Sequence, residues 1–302
     1  MNVLEVKDLV KTFAGERVLD GVSMRVPEHS VYGFLGKNGA GKTTTMNIIL
    51  GFLRADSGCV SVMGQKINFG NHAAGRYIGY LPDVPEFYPY MTAREYMELC
   101  AEISGLGKKY AQERIDSLLC MVGLRDFKKR IGGYSRGMKQ RLGIAQALLG
   151  SPAILICDEP TSALDPVGRK EILDILREAG RQTTVIFSTH VLADAERICD
   201  HVAILSGGRI VVEGGLEQIR RCHGGGGILL EFADVESMRC IIERAGESFK
   251  RAEAEGRRVI IPEGDKAEQL RLMAVMADQG ICPVRIEIVE PSLETIFMEA
   301  AV

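Results

Sequence analysis

One stretch of nine residues, GKNGAGKTT at positions 36–44, constrains this chain more than any other segment. The apolar run at 31–35 comes directly before it and predicts a buried strand, while residues 44–50 are typical of the start of a helix. A glycine-rich loop between a strand and a helix is the structural setting of the pattern G-x-x-x-x-G-K-[ST], the phosphate-binding P-loop. The sequence therefore predicts an α/β domain organised around a P-loop.

The residue types in this loop suit the phosphates of a nucleoside triphosphate. Glycines leave room for backbone N–H groups to curl around phosphate oxygens, and the N-terminus of the following helix adds a positive field. Lys42 is expected to bridge the β- and γ-phosphates, and the Thr43 hydroxyl to hold Mg²⁺. The predicted nucleotide-binding residues of the loop are Gly36, Asn38, Gly39, Ala40, Gly41, Lys42, Thr43 and Thr44.

Length, charge and hydropathy narrow the class of protein. A chain of 302 residues with 46% hydrophobic and 25% charged residues can bury a large core and is long enough for two domains. The net charge of −3 implies no strong attraction to nucleic acid or to anionic lipid. The sequence has no apolar run of about 18 residues, so we expect no membrane span, and its N-terminus does not have the pattern of a signal peptide.

The cysteines indicate a cytosolic protein. Eight of them are scattered along the chain without a C-x-x-C pair, and most lie in apolar runs. This distribution is not typical of a disulfide framework or of a zinc site. We therefore predict free and buried thiols.

Hydropathy patterns in the N-terminal part predict an antiparallel sheet, a helical region and a second set of strands that are buried. Residues 3–26 alternate in short runs and predict a half-buried antiparallel sheet, whereas 86–145 have mainly helical periodicity. Continuous apolar strands at 153–157, 184–188 and 202–205 are typical of a sheet covered on both faces. Helices between these strands indicate parallel crossovers.

A run of glycines at 224–227 interrupts this pattern and predicts a joint or loop tip. Beyond it the elements are expected in the order βαββαβ, as in a small ferredoxin-like module, with a last helix starting near Pro291. We predict an ATPase-type domain over 1–222, with a helical subdomain at about 86–145, and a small C-terminal α+β domain over 228–302.

An acidic pair ends the apolar strand at 153–157. Neighbouring side chains at a strand end point in different directions, so Asp158 can face Mg²⁺ while Glu159 faces a water in line with the γ-phosphate. Taken alone, the pair is more simply explained as surface acids. A P-loop upstream favours the alternative, a Walker B pair.

Four further segments resemble the motifs of ABC ATPases, in the order and spacing of that family. Residues 134–141, YSRGMKQR, are similar to the family's signature, and 162–165, SALD, to its D-loop. His190 follows a strand, as the H-loop histidine does, and Phe13 is similar to the A-loop aromatic residue that stacks on adenine. Phe13 taken alone would be a core residue. Together these motifs are specific for the family, and the resemblance covers about residues 1–220.

The resemblance implies an ATPase that works as a head-to-tail dimer with ATP and Mg²⁺ at each shared site. The P-loop of one subunit and the signature of the other would clamp each ATP, with the Ser135 hydroxyl and the Gly137 N–H donating to the γ-phosphate in trans. Glu159 would act as general base or orient the water, and His190 would hold the γ-phosphate and water in register. Besides the P-loop, the residues implied at the nucleotide are Phe13, Ser135, Gly137 and Asp165, and the catalytic ones are Glu159, His190 and Lys42.

The C-terminal module is similar to that of the ATP-binding subunits of ABC-2 export systems, which include drug-, bacitracin- and lantibiotic-resistance exporters. In this group a basic residue or a leucine often replaces the first signature glycine, as Arg136 does here. The resemblance implies a separate polytopic permease and a second ATPase subunit, either another copy or a paralogue. It also implies a cytoplasmic protein held on the inner face of the cell membrane by its permease.

Two questions stay open on the sequence alone. The aromatic segment at 87–91 either receives the coupling helix of the permease, as this region does in the family, or packs the core of the subdomain. The alternative function is a soluble ABC ATPase that acts on the ribosome or on nucleic acid. One P-loop, no heptad run and a net charge of −3 disfavour it, so we expect no nucleic-acid partner.

One position departs from the family pattern at the predicted metal. The Q-loop glutamine is replaced by Asp83, which is shorter and brings a negative charge toward the γ-phosphate. It could act through a water bound to Mg²⁺, so its direct contribution stays open. From charge alone, we expect Asp83→Gln to keep or raise ATPase activity. The predicted metal-binding set is Thr43, Asp158 and Asp83.

Overall fold

A computed structural model describes residues 1–70, 75–222, 227–244, 253–261, 266–289 and 292–300. The chain forms two compact units, Met1–Leu216 and Glu217–Ala300. Most of the predicted glycine joint and Pro291, where we expected the last helix to start, lie outside the described residues.

The first unit contains two sheets and the helices that cover them. Its strands are β1 (Asn2–Phe13), β2 (Glu16–Pro27), β3 (Val31–Leu35), β4 (Ser57–Val62), β5 (Gln65–Ile67), β6 (Ile78–Leu81), β7 (Ile154–Cys157), β8 (Thr184–Thr189), β9 (His201–Ser206) and β10 (Arg209–Gly215). Its helices are α1 (Lys42–Ile49), α2 (Ala93–Ile103), α3 (Lys108–Met121), α4 (Arg136–Leu148), α5 (Pro166–Gly180) and α6 (Leu192–Ile198). Helix α7 (Leu216–Cys222) follows β10.

The predicted antiparallel sheet is confirmed and has the order β2-β1-β4-β5. Alternate residues of β4 show why only one face is buried, because Val60 and Val62 enter the core while Cys59 points to solvent. The buried face belongs to a core cluster that also contains Phe34 of β3 and Met46 of α1. The sheet thus packs over the P-loop strand and helix.

The second sheet has the order β10-β9-β3-β8-β7-β6, with only the edge strand β10 antiparallel to its neighbour. Every residue of β3, β7 and β8 is buried, as the continuous apolar runs predicted. Because β3, β6, β7 and β8 are mutually parallel, the segments after their carboxyl ends lie at one edge of the sheet. This is the P-loop NTPase fold, and that edge carries the candidate site.

Helices α2, α3 and α4 form the helical subdomain between β6 and β7. Thr92 and Glu95 form a reciprocal capping box at the start of α2. Helix α4 begins at Arg136 because Ser135 caps it. The Ser135 hydroxyl accepts a hydrogen bond from the Met138 N–H at 3.2 Å.

The second unit has the predicted element order βαββαβ. The elements are β11 (Gly227–Glu231), α8 (Val235–Arg244), β12 (Glu253–Glu255), β13 (Arg258–Ile261), α9 (Lys266–Asp278), β14 (Arg285–Val289) and α10 (Leu293–Ala300). The strands pair antiparallel in the order β12-β13-β11-β14. Leu230, Val259 and Ile241 are fully buried and give this unit a core of its own.

The prediction for the cysteines was only half right. All the cysteines whose side chains the structure describes are free, and Cys157 and Cys199 are buried. Burial was wrong for Cys59, Cys120 and Cys282, which are exposed. Cys59 and Cys120 lie in apolar stretches, but they occupy the outward positions of a strand and a helix whose neighbouring residues fill the core.

Candidate nucleotide-binding site

The P-loop connects the end of β3 to the start of α1 in a conformation that needs glycine. Gly41 has a φ of +107°, in the left-handed region that other residues rarely adopt. A Cβ on Gly36 would lie 2.6 Å from the carbonyl oxygen of Leu205, so a side chain there would clash with the neighbouring strand. The turn therefore brings backbone and helix N-terminus together as a phosphate cradle requires.

Lys42 is buried, with 6% of its surface exposed, and its ammonium is held inside the loop. Its Nζ donates to the carbonyl oxygens of Gly36 at 2.8 Å and of Lys37 at 3.3 Å. The same atom lies 3.1 Å from Oε1 of Glu159. These contacts place a desolvated positive charge at the mouth of the P-loop.

Ser188, to which no sequence pattern assigns a role, holds the carboxylate of Asp158, the predicted Walker B residue. Oγ of Ser188 donates to Oδ1 of Asp158 at 2.6 Å and accepts the backbone N–H of Glu159 at 2.9 Å. All six residues of β8, including Ser188, are buried. Ser188 reaches both acidic residues because β7 and β8 pair in parallel, with Cys157 opposite Phe187. This register depends on residues some 30 positions apart in sequence, and no local pattern indicates it.

Glu159 connects the P-loop to the H-loop. Its Oε1 contacts Lys42, and its Oε2 lies 2.9 Å from Nδ1 of His190. Its backbone has a φ of 46°, a left-handed conformation that costs a non-glycine residue of order 1–3 kcal/mol. The structure therefore brings all three predicted catalytic residues, Lys42, Glu159 and His190, into one cluster.

The residues predicted to hold Mg²⁺ fit that ion in part. Thr43 is exposed on the first turn of α1, and Asp158 presents a carboxylate at the same edge of the sheet. In the described part of the chain no three acidic, histidine or cysteine side chains group together as a metal cage. One hydroxyl and one carboxylate suit Mg²⁺, which keeps several waters and takes one or two protein ligands plus substrate phosphates.

Asp83, the third predicted metal ligand, has a different partner. Its Oδ1 lies 2.9 Å from Nη2 of Arg136, the first residue of α4. Its main-chain oxygen accepts a hydrogen bond from the side-chain amide of Gln140. The carboxylate is thus directed at the signature segment of the same chain.

The other predicted contacts lie on separate elements. Ser135 caps α4 and is exposed, and within the described residues none of its hydrogen bonds joins it to the P-loop of its own chain. Asp165 caps α5 by accepting the Gly168 N–H at 3.1 Å. Phe13 is 44% exposed, which argues against a core role, and Nζ of Lys11 lies 5.2 Å from its ring centre.

Comparison with known proteins agrees with this geometry. The model of the family described as "ABC transporter" matches residues 19–162. The chain is 46% identical over 220 residues to "Uncharacterized ABC transporter ATP-binding protein YxlF" of Bacillus subtilis (strain 168), covering 72% of this chain and 73% of that protein. It is 34% identical over 301 residues to "Bacitracin transport ATP-binding protein BcrA" of Bacillus licheniformis, covering 98% and 96%.

A solved structure gives the same result. The protein in "Structure of ATP binding subunit of ABC transporter" is 35% identical, has a TM-score of 0.65, and the match covers 73% of this chain and 92% of that one. Sequence, fold and motif geometry agree over the first unit. This chain belongs to the ABC transporter family, as one of its ATP-binding proteins.

Proposed function

We propose that this chain hydrolyses ATP to drive a separate membrane permease of an ABC-2 type exporter. The ATPase part of this proposal rests on the position of the Glu159 carboxylate, which lies between Lys42 of the P-loop and His190 of the H-loop. A base, a cation for the phosphates and a histidine at one sheet edge are the groups that phosphoryl transfer to water requires.

Each residue of the cluster has a proposed task. Lys42 binds the β- and γ-phosphates and stabilises the charge that develops on the transferred group. Glu159 orients the attacking water and accepts its proton, while His190 hydrogen-bonds the γ-phosphate and keeps that water in line. Mg²⁺, when bound by Thr43 and Asp158, neutralises phosphate charge.

A second subunit would complete the site. The exposed N-terminus of α4 combines free backbone N–H groups with the Ser135 hydroxyl, and such an end attracts anions. In the proposed dimer Ser135 and Gly137 meet the γ-phosphate bound by the partner subunit. Asp165 borders the nucleotide from the D-loop, and Phe13 stacks on adenine.

The exporter part of the proposal rests on a relative that matches both units. BcrA aligns over 98% of this chain, so the similarity includes the C-terminal module, and its name assigns it to bacitracin transport. No described helix has both the length and the apolar character needed to span a bilayer. We therefore place the protein on the cytoplasmic face of the membrane, bound to its permease. The comparisons give no support to the alternative, an ATPase that acts on ribosomes or nucleic acid.

Two tyrosines mark the proposed permease contact. In the aromatic segment at 87–91, Phe87 packs edge-on against Tyr96 with ring centres 5.1 Å apart, as a core residue would. Tyr88 and Tyr90 are 51% and 61% exposed, and their rings lie 5.8 Å apart. Exposed tyrosines are enriched in protein interfaces, because they combine apolar area with a hydroxyl. We assign the interface role to these two and the packing role to Phe87.

The decisive experiment is purification of the tagged protein from its native cells in mild detergent. The Glu159→Gln variant with ATP should hold the closed dimer and retain a polytopic membrane protein in stoichiometric amount. Tyr90→Ser should lose that partner, whereas Tyr110→Ser, which changes a tyrosine of similar exposure (49%) on α3, should retain it. Recovery of ribosomes or nucleic acid without a permease would refute the exporter.

A further inference from the structure

Two of the places where this chain departs from the ABC ATPase motifs lie against each other. Asp83 stands where the family has the Q-loop glutamine, and Arg136 stands at the first glycine of the signature. They are 53 positions apart in sequence, yet Oδ1 of Asp83 is 2.9 Å from Nη2 of Arg136. The two changes therefore form one ion pair between the end of β6 and the start of α4.

A second contact of α4 holds the same residue. Gln140 lies one helical turn after Arg136 on the same face of α4 and is completely buried. Its amide donates to the main-chain oxygen of Asp83. Farther along this face, a Cβ on Gly143 would lie 2.4 Å from Cδ1 of Leu81, so the helix and the strand end are in close contact. Helix α4 is thus bonded to both the side chain and the main chain of Asp83, in the segment that follows β6.

The charges of the pair suit the end of the helix. Arg136 adds a positive charge to the first turn of α4, where the helix dipole is already positive, so the arginine alone is unfavourable there. The carboxylate of Asp83 offsets both charges. If Asp83 instead turned to a metal ion, Arg136 would be left without this counter-charge at the helix end that also carries Ser135.

We propose that Asp83 is a positioning residue that acts through Arg136, not a ligand of Mg²⁺. Its carboxylate holds the first turn of α4, and with it the Ser135 hydroxyl, at a fixed place relative to β6 and the sheet edge. The predicted effect on ATP hydrolysis rests on the proposed function, in which Ser135 meets the γ-phosphate on the partner subunit. The predicted effect on the position of α4 does not depend on that function.

The size of the effect follows from the exposure of the pair. The side chains of Arg136 and Asp83 are 39% and 46% exposed, so water and salt screen their attraction. Pairs of this kind change an equilibrium by about 1.5- to 5-fold. We expect an effect of that size at low salt and a smaller one at about 1 M salt, where the Debye length is about 3 Å.

A double-mutant cycle tests the proposal in the full-length protein. Asp83→Asn and Arg136→Gln should each lower kcat about 1.5- to 5-fold, and the double variant should be no worse than either. The charge-swapped variant Asp83→Arg with Arg136→Asp should restore the wild-type rate of amide exchange in the first turn of α4, because the ion pair is restored. The Mg²⁺ concentration for half-maximal activity should not change. Asp116→Asn is the matched control, because it breaks a similarly exposed pair with Arg94 in the same subdomain and should leave kcat unchanged.

Three results would overturn the proposal: additive losses, a raised Mg²⁺ requirement confined to Asp83→Asn, or higher activity in Asp83→Asn, as its charge alone predicts. Amide exchange of the first turn of α4, measured without nucleotide, separates this proposal from the ATPase proposal. That exchange should be faster in both single variants and not further increased in the double one. If the wild type hydrolyses no ATP, the proposed function fails. Unchanged exchange would refute the role of Asp83 even in an active enzyme.

Discussion

Ser188→Ala removes the hydroxyl that joins the two acidic residues of the site. The change deletes the hydrogen bond to Oδ1 of Asp158 at 2.6 Å and leaves the N–H of Glu159 without its 2.9 Å acceptor. A hydrogen bond to a charged group contributes about 1.5–3 kcal/mol, and a buried donor left unpaired costs about 1–3 kcal/mol. Because the two terms share one atom and do not add fully, we expect the free energy of unfolding to fall by about 2–4 kcal/mol.

This loss has two measurable consequences. For a unit the size of Met1–Leu216, each kcal/mol lowers Tm by about 2–4 °C, so Tm should fall by about 4–16 °C. The carboxylate of Glu159 also loses the anchor of its left-handed backbone. If positioning of that group costs about 1–2 kcal/mol more in the transition state, kcat falls about 5- to 30-fold.

Thermal unfolding and phosphate release, measured on the same preparations, check both numbers. Ser61→Ala is the control, because Ser61 is a half-buried strand serine of the antiparallel sheet and distant in sequence from every predicted site residue. If Ser188→Ala matches this control in Tm and turnover, the hydroxyl does not hold the acidic pair. A lower Tm with normal turnover would limit Ser188 to stability.

Three further predictions concern single positions. Glu159→Gln should still bind ATP but hydrolyse it at least about 10²-fold more slowly, and near-normal phosphate release would remove its role as base. Gly79→Ala should lower the free energy of unfolding of the first unit by about 1–3 kcal/mol or more, because the new Cβ would lie 2.2 Å from the Ala147 carbonyl oxygen. Gly150→Ala is the control: its Cβ would lie in open space, so the free energy from urea unfolding should stay within about 0.5 kcal/mol of wild type. Hydrogen bonds from the Thr92 N–H and hydroxyl hold the pKa of Glu95 below its usual 4.5, so the capping box stabilises α2 at neutral pH. The contribution of the capping box to the stability of α2 should disappear as the pH falls through the lowered pKa of Glu95. Amide exchange of α2 at pH 6 and pH 3, compared between wild type and Thr92→Ala, measures this contribution. A difference between the two proteins that does not change with pH would contradict the prediction.

The sequence predicted the features that depend on residues close together in the chain. The P-loop is visible because a strand, a glycine loop and a helix follow one another within 31–50, and each leaves its own local pattern. The order βαββαβ is visible for the same reason. The buried strands β7 and β8 are recognisable from their continuous apolar runs alone.

The features it did not predict depend on residues far apart in the chain. Ser188 meets Asp158 only because two parallel strands pair in one particular register. Asp83 meets Arg136 only because α4 packs across the end of β6. A pattern of hydropathy shows that a strand is buried, but not which residue of its neighbour lies opposite. The same limit explains Cys59, whose apolar neighbours suggested burial although its own position faces outward.

The topology of the central sheet explains why residues from distant segments form one site. Lys42, Glu159 and His190 follow the carboxyl ends of β3, β7 and β8, and these strands are adjacent and parallel. One carboxylate, that of Glu159, then contacts both a buried ammonium and an imidazole. A charge buried as deeply as that of Lys42 is costly without a partner, so Glu159 must help stabilise this loop as well as serve the reaction. The proposed base and the cation for the phosphates are therefore energetically coupled before any substrate binds.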